Sequence, residues 1–196
     1  MARIFVLLCT ILTLAGCVTT QPTADSSGPG NPVAGVNSLY YLQITHWQGR
    51  LNNNRINDLR FSQLEKWQEK VEEGGWSAGL AREIIYGSRE LTSYEMEIED
   101  YWDTPREFVD RNFQGDCEDI AIFMLATLKS LGYPHEVKIL AVKALFEDHA
   151  LLKVEMPEGQ IEVFETIGSV RETNTNLVYT PIVEFDEKSI FFPKPI

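Results

Sequence analysis

Positive charge is scarce in this chain. Against 29 Asp and Glu stand only 17 Lys and Arg, a formal net charge of −12. That balance excludes nucleic-acid binding through a basic face, because phosphate neutralisation needs clustered Lys and Arg. It also leaves no polybasic stripe for anionic lipid. No internal repeat is present. The apolar run Ile4 to Leu14 is too short to span a bilayer as a mature helix. Histidine and cysteine are rare, with 3 of each, so any thiol or imidazole chemistry has few candidates. The apolar share of 44% is ordinary for a globular protein, and 196 residues suit one domain with some extra chain.

What the chain does have begins with an address. Arg3 supplies a short positive start, the apolar run follows, and then comes Leu14-Ala15-Gly16-Cys17. Small residues before a cysteine at that place resemble the lipobox of bacterial lipoproteins. The resemblance implies a signal peptide over 1–16 and an acylated, palmitate-bearing Cys17 as the new N-terminus. Residue 18 is Val rather than Asp. By the sorting rule of some diderm bacteria, that points to an outer-membrane anchor facing the periplasm. Residues 17–37 are rich in Thr, Ser, Gly, Pro and Asn and read as a flexible tether. The folded domain is expected over 38–196.

Leu39 to Thr45 fits a short helix or a strand equally well. Phe61 to Val71 carries Leu64, Trp67 and Val71 on one helical stripe, and a second helix is expected from Ala78 to Ser88. Glu95 to Asp103 is an acidic run with the character of a solvated face. Thr104, Pro105 and Glu107 spell a capping box with proline at the first helical position, opening a short helix to Asn112. Next comes Gly115-Asp116-Cys117-Glu118-Asp119. Cys117, Ile120, Ala121, Met124, Leu128 and Leu131 share one face of a long helix that Gly132 ends. Asp116 can cap it, with Asp119 at the third position. Then the period changes to two. Strands are expected at Val137–Val142, His149–Val154, Ile161–Glu165, Leu177–Phe185 and Ser189–Phe192, with Pro157-Glu158-Gly159 turning between the second and third. Helices followed by a strand meander give an α+β fold with an antiparallel sheet.

With Cys9 removed in the leader and Cys17 carrying lipid, Cys117 is the one free thiol of the mature protein. Exported proteins pair or avoid cysteines, so a lone thiol is either buried and inert or chemically needed. The first turn of a helix favours the thiolate. A thiol nucleophile needs a base and a third group to orient that base. His46 precedes the core. His135 lies at the far end of the cysteine helix, roughly 22 Å away. His149, opening a strand, remains. Its orienting acid should lie across the hairpin. If the three-residue turn sets Met156 opposite Gln160, then Glu165 is the diagonal neighbour of His149 on the same face. A two-residue turn would put it on the wrong face.

Trp102-Asp103-Thr104-Pro105 with Glu107, then Gly115-Asp116-Cys117-Glu118-Asp119, then His149 on a strand and an acid on the next, resemble the bacterial transglutaminase-like cysteine proteinases. The resemblance covers about residues 60 to 170. It implies a papain-related fold, a cysteine-bearing helix packed on an antiparallel sheet. It implies an acyl-enzyme mechanism with Cys117 as nucleophile, His149 as base and Glu165 in the place where the family usually has Asp. The Cys117 backbone N–H would meet the oxyanion, with a side-chain donor for which Gln114 and Trp102 are the candidates. Some members release surface adhesins and require calcium, held in part by the positions of Asp116, Glu118 and Asp119. Capping and helix-dipole complementation already account for those three charges, so the residues alone require no cofactor.

The expected activity is therefore a lipid-anchored cysteine peptidase acting on a protein or peptide of the cell envelope. Two alternatives stand beside it. One is a binding module that kept the fold and lost the chemistry, which the Glu165 departure favours. The other passes the same acyl-enzyme to an amine and cross-links.

Overall fold

The computed structural model describes residues 36–51, 56, 59–97, 101–144, 147–168 and 179–193. The leader, Cys17 and most of the tether lie outside them. The first element, α1, is a full helix, Val36–Leu51. Tyr40, Ile44, Trp47 and Leu51 form its buried stripe. Leu39, Tyr41 and Leu42 are apolar yet exposed, and they blur the period that would have marked a helix in the sequence.

Helices α2 (Ser62–Gly74) and α3 (Ala78–Glu90) follow. Gly87 sits inside α3 because a Cβ there would lie 2.6 Å from the Trp67 ring. A short strand β1 (Ser93–Tyr94) pairs in parallel with β2 (Gln114–Gly115). Between them α4 (Pro105–Asp110) opens on the expected capping box: Thr104 N–H donates to Glu107 at 2.7 Å, and Glu107 N–H donates to Thr104 Oγ1 at 3.4 Å. It stops two residues earlier than expected, because Asn112 and Phe113 turn back with φ of 56° and 61°.

Helix α5 (Cys117–Ser130) packs on the sheet and on α3 and α4. The expectation of one buried stripe is too narrow. Ile122, Phe123, Leu125 and Ala126 are buried as well, because the helix runs through the middle of the molecule with neighbours on several sides.

The strands β3 (Val137–Lys143), β4 (Asp148–Glu155), β5 (Ile161–Phe164), β6 (Thr180–Phe185) and β7 (Ile190–Phe191) form an antiparallel sheet in the order β5-β4-β3-β6-β7. A plain meander would set β6 beside β5. Instead it pairs with β3, Ile139 opposite Phe185. The reason lies in β3 itself. Ile139 and Ala141 face the main core, while Leu140 and Val142 join a second cluster with Leu151 on the other face. A strand apolar on both faces belongs inside a sheet, not at its edge. β5 carries exposed Ile161 and Val163 and takes the edge.

Candidate active site

The turn between β4 and β5 is the three-residue one. Met156 N–H donates to Gln160 O at 2.8 Å, and Leu152 stands opposite Phe164. The same register carries Glu165 to His149: Nε2 and Oε2 are 2.9 Å apart. The second Glu165 oxygen accepts from Tyr179 Oη at 2.5 Å. Burial alone would push the Glu165 carboxyl up, but the hydrogen bonds from His149 and Tyr179 outweigh it and hold the carboxyl below its ordinary value.

Beyond Phe164 the edge of β4 is open, and the start of α5 fills it. Thr166 Oγ1 donates to Ala150 O at 2.7 Å. The Ala150 backbone lies close enough to the Cys117 sulfur to oppose, slightly, the rise of the thiol. The residue next to the imidazole thus lies near the thiol, while Glu165 bonds the imidazole itself. His46 is exposed on α1. His135 stacks edge-on against Tyr133 beyond the other end of α5.

The thiol's own proton points elsewhere. Cys117 Sγ donates to Glu118 Oε2 at 2.9 Å. Burial and the Glu118 and Asp116 carboxylates push the thiol well above its ordinary range. The expectation that the helix start favours a thiolate is therefore corrected: in this arrangement burial first, and then the neighbouring acids, outweigh the helix end. Glu118 is itself pushed up to about 8 by burial and by Asp116. The pairing of Tyr94 with Gly115 sets β1 beside the start of α5, and the Tyr94 phenol is raised, by burial first and then by Cys117 and Asp116.

Asp119 faces the opposite way. Its carboxylate accepts from Asp103 N–H at 2.7 Å and from Asp116 N–H at 3.4 Å. The two motif segments, Trp102 to Pro105 and Gly115 to Asp119, are thereby one bonded unit. Gly115 is glycine because a Cβ would lie 2.8 Å from Asp119 Cβ and 2.9 Å from the Phe108 ring. Burial pushes Asp119 up to about 9, with the Asp103 N–H opposing. It pushes Asp103 up to about 6 against the pull of Arg111.

The three acids around Cys117 do not gather as one set. Asp119 instead joins Glu97 and Asp103, whose carboxylate oxygens lie within 4.8 Å of one another. Arg111 bonds both Glu97 and Asp103, the latter at 2.8 Å. So the acidic run is not a uniformly solvated face. The Glu97 side chain is 11% exposed and that of Asp103 is 2%, while residues 98–100 lie outside the described residues. Of the two oxyanion candidates, Gln114 is exposed on β2. Trp102 is buried and stacked on Phe185 at 5.3 Å. Tyr179 had no signal in the sequence beyond its place in an expected strand.

No protein-family model matches the chain, and no curated protein does. Among solved structures, calcium-bound LapG of Legionella pneumophila is similar over 76% of this chain and 87% of its own, at 19% identity and a TM-score of 0.55. EGTA-treated LapG is similar over 78% and 86%, at 20% identity and a TM-score of 0.56. That likeness shows the fold: the chain has the α+β, transglutaminase-like fold of these structures.

Proposed function

We propose that this protein is a cysteine peptidase of the cell envelope, using Cys117, His149 and Glu165 and held to the membrane by lipid on Cys17. The observation that carries the reading is the bond between His149 Nε2 and Glu165, on the strand whose next residue, Ala150, lies close to the Cys117 thiol. A carboxylate at Nε2 selects the Nε2–H tautomer, so the lone pair sits on Nδ1. In the reaction the thiol exchanges its bond to Glu118 for one to Nδ1 and gives up its proton there. The sulfur then attacks a peptide carbonyl, and an S–C bond forms. The C–N bond breaks as the amine takes the proton from His149. Water, deprotonated by the same nitrogen, releases the acid and restores the thiol. The Cys117 backbone N–H, in the first turn of the helix where no intrahelical acceptor is available, would meet the developing oxyanion.

LapG is known in calcium-bound and EGTA-treated forms. Glu97, Asp103 and Asp119 fit the same ion here: they are clustered, partly to fully buried, and offer only hard oxygen donors. Arg111 compensates Glu97 and Asp103, while Asp119 accepts from two backbone N–H groups and, among the described residues, meets no positive side chain. A divalent cation held there supplies positive charge to the first turn of α5.

The test is alkylation of Cys117 in the full chain, read by peptide mass spectrometry. His149→Ala is expected to slow it at least about tenfold, the equivalent of one pKa unit. Cys117→Ala should abolish cleavage of an envelope protein that a Glu72→Ala control retains. Alkylation indifferent to His149 would leave the binding-module reading in its place.

A further inference from the structure

We infer that Tyr179 is a positioning residue for this chemistry, fixing the Glu165 carboxylate against His149; the inference rests on the Cys117–His149–Glu165 reading above. Each oxygen of Glu165 has its own partner, Oε2 at Nε2 of His149 and Oε1 at the Tyr179 hydroxyl. The two bonds together fix the plane of the carboxylate, which one bond cannot do. Tyr179 is itself well placed to hold. It packs on the cluster of Leu140, Val142 and Leu151. That is the sheet face from which His149 projects, two residues before Leu151 on the same strand. The two rings are 6.1 Å apart.

The need for such a brace follows from the side chain at 165. Glutamate has one more rotatable bond than aspartate, so its carboxylate sweeps a wider arc. Arg89 lies close enough to attract it. Arg89 is already occupied, with Nε donating to Thr166 O at 3.1 Å and Nη2 to Gly168 O. Tyr179 removes the remaining freedom. An aspartate at 165, one methylene shorter, would not span from the phenol to the imidazole.

The experiment uses Cys117 alkylation in the full chain at one fixed pH, together with ¹⁵N spectra of the His149 ring and melting curves. Tyr179→Phe keeps the ring packing and removes only the hydroxyl. It is expected to slow alkylation about tenfold, in keeping with the loss of one hydrogen bond to a charged group. It should also turn a single Nε2–H tautomer into a mixture. Glu165→Asp should slow alkylation similarly, and adding Tyr179→Phe to it should cost nothing more, because the bridge is already broken. Wild-type alkylation and an unchanged tautomer in Tyr179→Phe, with His149→Ala still slow, would overturn the brace and leave the peptidase reading intact. Wild-type alkylation in His149→Ala would overturn both. A slower variant that melts earlier but keeps its tautomer would make Tyr179 merely structural and would also overturn the inference.

Discussion

At the scale of single residues, the state of Cys117 is a contest between a helix end and a carboxylate. A helix N-terminus is worth about 0.3–1 kcal/mol to a nearby anion. Two unit charges about 4 Å apart, at an effective dielectric near 20, repel by about 4 kcal/mol. Glu118 therefore wins while it is ionised, and it also accepts the thiol proton. Glu118→Gln removes the repulsion and is expected to speed Cys117 alkylation about tenfold above about pH 8, where Glu118 is ionised, and much less at neutral pH, measured as the pH dependence of iodoacetamide labelling. The sequence made the thiol and its acidic neighbours visible, but spacing along a helix does not show which way a carboxylate turns.

Among the elements, the join between the loop before α4 and the start of α5 depends on Asp119 and Gly115. Gly115→Ala forces a Cβ onto Asp119 and the Phe108 ring. It is expected to destabilise by about 1–3 kcal/mol in urea unfolding and to slow alkylation by shifting the helix start. The Asp119 carboxyl, raised to about 9, keeps its proton long after the unfolded chain has lost its own near about 4. The folded state binds one more proton between those values, so stability falls as pH rises through that window. Glu118 and Asp103, raised to about 8 and about 6, add to the same slope. Asp119→Asn should flatten the melting temperature over this range. Calcium should stabilise the wild-type chain more as pH rises, read by calorimetry with and without the ion.

Much of this level was legible in the sequence. Thr104 with Glu107 announced α4 because capping is a local device. The Pro157-Glu158-Gly159 stretch announced a turn but left two registers open, since strand parity follows from loop length; the three-residue loop is the one formed. The pairing of Asp119 with Asp103 and Glu97 was not legible, since it depends on how two segments pack. Tyr179 was hidden for the same reason: its partner lies on another strand.

For the whole molecule, α1 acts as a clamp across the back of the site. Trp47, fully buried, meets Phe185 edge-on at 5.9 Å and donates through Nε1 to Asp103 O at 3.2 Å. Trp47→Ala is expected to cost about 3–5 kcal/mol in urea unfolding. The strand order was the part of the architecture the sequence concealed, because local periodicity does not name a strand's second neighbour. That order has a consequence for the chain as it leaves the ribosome. Cys117 at the start of α5, His149 on β4 and Glu165 just past β5 are all synthesised before β6. Until Thr180–Phe185 emerges, β3 stands as an apolar edge with no partner on one side, the kind of template that captures foreign strands. The stretch from Tyr179 to Phe185 therefore covers that side of β3 and delivers the hydroxyl of Tyr179, so a nascent chain holds its nucleophile, base and acid before it can brace them.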